Sequence, residues 1–238
     1  MLSPTSGTSV RERNDVLQYD DLVFAWWDQR GPLAALHWLA VARAPLVPAP
    51  STGDVLVDLG VGGGLMAPHV AGYHHVGVDI TVSALQVARA QGVVPVRADV
   101  GRLPLGDGCA AVVIAGEIFE HVRHLGAVVA EISRVLSPGG TVVFDTISAT
   151  RLARTALVTV AERLPGGPPP HIHDPTLFVS PERLRRLFAG HGIGLKMHGL
   201  RPSFVDYLRF LRERAHPVRM LPSRSLTTVY AGVGTKPT

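Results

Sequence analysis

Two carboxylates and an imidazole, Glu117, Glu120 and His121, follow directly on the apolar run Ala110–Ala115 and Gly116. Residues three and four apart share one face of a helix, so a turn opened by Glu117 would converge all three. Such a set could hold a divalent cation and leave positions free for substrate oxygens. Magnesium or manganese suits the carboxylates best, and the imidazole also admits zinc or iron. Acids are equally favoured at a helix N-terminus by the peptide dipole, with His121 then a core or hinge residue. Spacing alone does not choose between the two.

A second constellation lies upstream. Asp58-Leu59-Gly60-Val61-Gly62-Gly63-Gly64 ends one apolar segment, Asp79 with Ile80 ends the next, and Asp99 with Val100 closes a third. Glycines let a chain turn sharply and bring its backbone against a ligand. An acid roughly 20 residues beyond such a turn is placed to receive two ribose hydroxyls. A dinucleotide turn would want a small residue where Leu65 stands, and Asp58 would repel a pyrophosphate. That carboxylate instead suits a cationic ligand such as the amino-acid end of S-adenosyl-L-methionine (AdoMet), with Asp99 and Val100 meeting the adenine. A sulfonium donor needs a nucleophile, and a phenol with a pKa near 10 is mostly protonated at neutral pH. A chelated cation would acidify and orient it.

These residues need a scaffold. Asp54–Gly60, His75–Ile80, Val93–Asp99, Ala110–Ala115 and Thr141–Ile147 read as short, almost continuously apolar strands. Helical spacing separates them at Ser83–Gln91 and Ala127–Leu136. Strands near Leu195–His198 and Leu226–Val233 and a helix at Ser180–Ala189 complete the set. The pattern predicts an α/β, doubly wound, mostly parallel seven-stranded sheet. Residues 1–18 read as a mobile polar leader, 19–50 as N-terminal helices and a proline linker, and 51–238 as the main domain with a helical insertion at about 148–182.

The 238 residues are 46% apolar and 18% charged, which excludes a disordered chain. Cys109 is the single cysteine, so no internal disulfide or thiolate zinc cluster can form. No apolar stretch approaches the ~20 residues of a spanning helix. The start lacks the basic and apolar blocks of a secretory signal, so the expected address is the cytoplasm, with the inner membrane face as a peripheral option. The net charge is +4, and the segment from Arg201 to Arg224 holds six arginines against Asp206 and Glu213. Together with the stripe Leu152, Ala156, Val160 and Leu164, this segment suggests reversible contact with anionic membrane through 151–164 and 201–224. A solvated face and a helix packed over a pocket are the plain alternatives. No motif for nucleic-acid bases is present, and oligomeric state is not legible.

The chain resembles the ubiquinone-biosynthesis O-methyltransferases of the UbiG type, class I AdoMet-dependent enzymes with a Rossmann-like fold. The resemblance rests on Trp26-Trp27-Asp28, Leu36-His37 with Arg43, the Asp58–Gly64 turn, EIFEHV at 117–122, LSPGG at 136–140, His173-Asp174 with Phe178 and Pro181, and Gly199-Leu200. It implies that Arg43, Gly60, Asp79 and Gly116 contact AdoMet, beside Asp58, Gly62, Ile80, Asp99 and Val100. It also implies that Glu117, Glu120 and His121 bind the metal, and that the acceptor is a phenolic or catechol oxygen, prenylated in the family. His124 or His173 could act as general base, a role left unassigned. The sequence departs from the family at Val61, Ala40-Val41, Pro175 and Arg201-Pro202-Ser203, mostly on the substrate side. A metal-independent natural-product methyltransferase, or a domain that binds AdoMet or membrane without catalysis, remain the rival readings.

Overall fold

The computed structural model describes residues 12–238. The chain opens with α1 (Leu17–Asp21) and α2 (Ala34–Arg43), then crosses into β1 (Val55–Leu59) and β2 (His74–Asp79). It continues through α3 (Val82–Ala90), β3 (Val94–Arg97), β4 (Ala110–Gly116), α4 (Leu125–Val135) and β5 (Leu136–Ile147). An insertion helix, α5, starts at Arg151–Ala153 and runs on through Arg154–Val160 and Ala161–Arg163. The remainder is α6 (Pro181–Ala189), β6 (Gly194–Pro202), α7 (Phe204–Arg212), β7 (Met220–Ser223) and β8 (Val229–Thr235).

The apolar strands do what their composition requires. β1, β4 and β5 lie at the centre of one sheet, where Val57, Val113 and Val142 have no exposed surface. Sheet order is β3-β2-β1-β4-β5-β8-β6-β7. β1 to β5 pair in parallel, β8 runs antiparallel to both β5 and β6, and β7 is antiparallel to β6. On one face, α4 buries Leu125, Val128, Val129, Ile132 and Val135, the repeat of an amphipathic helix. Its last carbonyls, of Ser133 and Leu136, accept hydrogen bonds from the Lys236 ammonium at 2.7 Å each, a favourable place for a cation. On the other face α2 and the turn before it bury Trp26, Leu33 and Ala40 against Leu56, Ile114 and Val143.

The sheet has eight strands, one more than the sequence predicts. The extra strand, β7, forms inside the arginine-rich segment, with Pro222 tolerated because the strand lies at the sheet edge. That segment is therefore α7 plus an edge strand, tied by the Arg219–Asp206 ion pair at 2.7 Å. The insertion differs too. Residues 154–160 form wide π-type turns, whose i→i+5 bonding puts Ala153 and Val158, five apart, on the buried side. The expected four-residue stripe accordingly splits: Ala156 and Leu164 line the central cavity, while Leu152 and Val160 face outward. Among the described residues no helix is long and apolar enough to cross a membrane.

In open parallel sheets ligands bind beyond the carboxyl ends of the strands, where strand order reverses. Here that point lies between β1 and β4. A cavity of about 980 Å³ opens there.

Candidate active site

The turn after β1 is built for close approach. Gly60 and Gly62 adopt φ of +64° and +50°, and a Cβ on Gly62 would stand 2.3 Å from the Trp26 ring. Trp26 thus packs flat on the glycines, and the neighbouring Trp27 donates its indole N–H to the Gly63 carbonyl at 3.0 Å. Asp79, at the end of β2, accepts from Gly62 N–H at 3.0 Å and Thr81 N–H at 2.8 Å. Burial raises its pKa, against the pull of these donors. Asp58 is buried near the end of β1 and lies 3.3 Å from His75 on β2. Exposed Asp99 caps its own loop by accepting from Gly101 N–H at 2.7 Å, with Val100 buried beside it and Ile80 half exposed. Asp58, Gly60, Gly62, Asp79, Ile80, Asp99 and Val100 line the same cavity.

Arg43 enters the cavity from α2. Its guanidinium holds Asp145 through two hydrogen bonds of 2.5 and 2.7 Å, and lies where a Cβ on Gly116 would be. Burial opposes the charge, but Asp145 outweighs it and keeps Arg43 protonated far above the ordinary range.

The acid–imidazole cluster forms differently from the helical turn expected. Glu117 has φ of +51°, a left-handed bend, and Phe119–His121 make a single tight 3₁₀ turn. The i, i+3, i+4 face therefore does not form. Glu120 and His121 instead meet His173, reached from the far side of the insertion: one ligand-capable atom from each lies within 4.8 Å of the others. Glu117 stands outside that triad, beside Glu120, Asp145 and Arg43. His124 lies exposed at the cavity wall, also apart from the cluster.

Polarity in this corner is extreme. Thr146 donates its hydroxyl proton to Glu120 Oε2 at 2.8 Å, while Glu120 Oε1, Glu117 Oε1 and His173 Nδ1 are buried with no hydrogen-bond partner among the described residues. Burial, then the charges of Glu120 and Asp145, drives the Glu117 pKa up, and burial does the same to Glu120. Burial pushes His121 down to about 4 and His173 well below its usual value, so both rings are neutral bases. The rings stack with centroids 5.2 Å apart. Three residues that touch the cluster were not legible in sequence. Asn14 hydrogen-bonds His121 twice, Tyr19 places its hydroxyl 3.3 Å from His121 Nε2, and Arg13 bridges Glu162 and the His173 carbonyl at 2.9 Å each. Residues 12–18, the described part of the expected leader, thus cover the cluster; residues 1–11 lie outside the described residues.

A methyltransferase-domain family matches residues 57–144, the segment holding the glycine turn, Asp79, Asp99 and the cluster's acids. The ubiquinone biosynthesis O-methyltransferase of Methylobacterium sp. (strain 4-46) is 30% identical over 81% of this chain and 86% of its own. The chain belongs to that family. It is an AdoMet-dependent O-methyltransferase. The mouse mitochondrial member is 28% identical over 82% of this chain, which spans 59% of that longer protein. An AdoMet-dependent methyltransferase of Thermotoga maritima superposes with a TM-score of 0.66 at 17% identity, over 92% of this chain and 96% of the other, and shares the fold.

The donor set fits AdoMet on the structure's own terms. Three carboxylates (Asp58, Asp79 and Asp99) and the backbone of Gly60 and Gly62 line a cavity to which a cationic, hydroxyl-rich ligand is complementary. The cluster likewise fits a cation, because three buried polar atoms there point at no protein partner.

Proposed function

We propose that this protein methylates a phenolic hydroxyl of a catechol- or hydroquinone-like small molecule carrying an apolar substituent. One observation carries this reading: the AdoMet-suited turn and the residues Glu117, His121 and His173 open into a single cavity. At about 980 Å³ it lies at the upper end of the ~300–1,000 Å³ usual for small-molecule sites, room for a donor and an acceptor together. Its acceptor side is walled by Leu36, Leu39, Ile147, Leu157, Ile172 and Val229, which suit a greasy ring substituent and exclude water. The chain's relatives are ubiquinone biosynthesis O-methyltransferases, which favours a quinol-type acceptor.

In this reading Asp79 receives the ribose hydroxyls, Asp58 the amino-acid end of the donor, and Asp99 with Val100 the adenine. Arg43, fixed by Asp145, keeps Gly116 and the start of the Glu117 bend in place. Glu117, Glu120 and His121 serve a divalent cation. Bound there, the cation would lower the pKa of a chelated hydroxyl and orient it. Reversible contact with an anionic membrane is part of the proposal. Phe204 (70% exposed), Val205, Leu208 and Leu211 on α7, with Arg201, Arg209 and Arg212, offer an apolar and basic surface.

The test is transfer of labelled methyl from AdoMet to catechols and hydroquinones of graded tail length, with added divalent ions or exhaustive chelation. Transfer that rises with tail length and falls on chelation supports the reading. Full activity after chelation, or none across the panel, contradicts it.

A further inference from the structure

We infer that His173 is a ligand of the cation site and that the site therefore selects a borderline first-row ion, such as zinc or ferrous iron, over magnesium. The inference rests on the divalent-cation reading above and changes its ligand set from two acids and one imidazole to one acid and two imidazoles.

Geometry supports it at each residue. Glu120, His121 and His173 bring a ligand-capable atom within 4.8 Å of one another, and no other such group occurs among the described residues. His173 is 6% exposed, and among the described residues its Nδ1 has no partner; Glu120 is fully buried and its Oε1 has none there either. Buried polar atoms without a partner are costly, so they persist where something else binds them. The tautomer of His121 is set as well. Asn14 donates its amide N–H to the His121 carbonyl at 3.0 Å, which turns its oxygen toward His121 Nδ1 at 2.5 Å. That nitrogen must carry the proton, leaving Nε2 unprotonated, with the Tyr19 hydroxyl 3.3 Å away as the neighbour an ion would displace. Arg13, held by Glu162, grips the His173 carbonyl and fixes the loop that presents the ring.

The chemistry of the set decides the ion. Magnesium takes oxygen ligands almost alone and keeps its waters. Imidazoles suit zinc and iron, and two with one carboxylate leave open positions for substrate oxygens. Glu117, outside the triad and next to Glu120, acts as a positioning residue.

The test uses cobalt(II) on the metal-free full chain, read by its visible d–d absorption and by titration, with AdoMet affinity as a check on folding. One equivalent of cobalt should give a band that ~1,000-fold magnesium does not displace. His173→Ala should weaken cobalt binding at least about 10–100-fold and change the band, and added imidazole should restore it. His173→Gln, closer in volume, carries the same readout if the alanine variant does not fold. Cobalt bound to both variants with unchanged band and affinity, while Glu120→Gln abolishes it, would overturn the inference and leave the cation reading standing. Displacement by equimolar magnesium would overturn the selectivity. No cobalt binding to the unmodified chain would overturn both.

Discussion

Arg43 and Asp145, on α2 and β5, are joined by two hydrogen bonds of 2.5 and 2.7 Å with side chains 8% and 0% exposed. Removing one partner of a buried pair leaves a charge uncompensated, which costs about 3–5 kcal/mol. Asp145→Ala should therefore lower the urea midpoint by that equivalent. Adding Arg43→Leu should recover part of the loss, because no lone guanidinium then remains. An additive double mutant would show that the pair does not act as a unit.

Asp79 fixes the glycine turn through Gly62 N–H and Thr81 N–H, besides its proposed contact with ribose. Hydrogen bonds to a charged group are worth about 1.5–3 kcal/mol. Asp79→Ala should raise the AdoMet dissociation constant on the order of 10–100-fold by calorimetry. An unchanged constant would remove Asp79 from the donor site.

The central sheet was legible because β1, β4 and β5 are almost unbroken apolar runs, the mark of strands covered on both faces. β7 was not, since four residues with a proline inside an arginine-rich stretch carry no strand pattern. The donor-side residues could be read from strand ends, which topology gathers at one edge. The cluster could be read only in part. Glu120 and His121 are neighbours in sequence, but the bend at Glu117 defeats a helical projection, and His173 arrives by a long-range contact. Asp145 was visible as a charge inside TVVFDTI, although its partner Arg43 comes from another element.

His37 donates its Nε2–H to the Trp26 carbonyl at 2.8 Å, and burial lowers its pKa. The unfolded chain then takes up a proton near pH 6.5 that the folded protein refuses. Stability rises with pH where the unfolded state binds more protons, so this contribution is lost as pH falls below about 6.5. His37→Gln should make the stability profile shallower between pH 5 and about 6.5 in urea titrations. A profile as steep as the parent's would contradict the assignment.

The exposed apolar face of α7 should hold the protein on anionic vesicles at low salt. Flotation with vesicles rich in anionic lipid should recover the parent chain, and Phe204→Ser with Leu208→Ser should reduce recovery several-fold, as should raised salt. Equal recovery on neutral vesicles would contradict the electrostatic part.

In the proposed reaction the two halves of one cavity divide the labour, donor binding on one side and acceptor activation on the other. The measurement that tests it most directly is paired: AdoMet affinity and single-turnover methyl transfer to a catechol, for Glu120→Gln and His121→Ala. The expected result is near-parental AdoMet binding with transfer slowed on the order of 10²–10⁴-fold. Transfer at the parental rate in both variants would contradict the central claim.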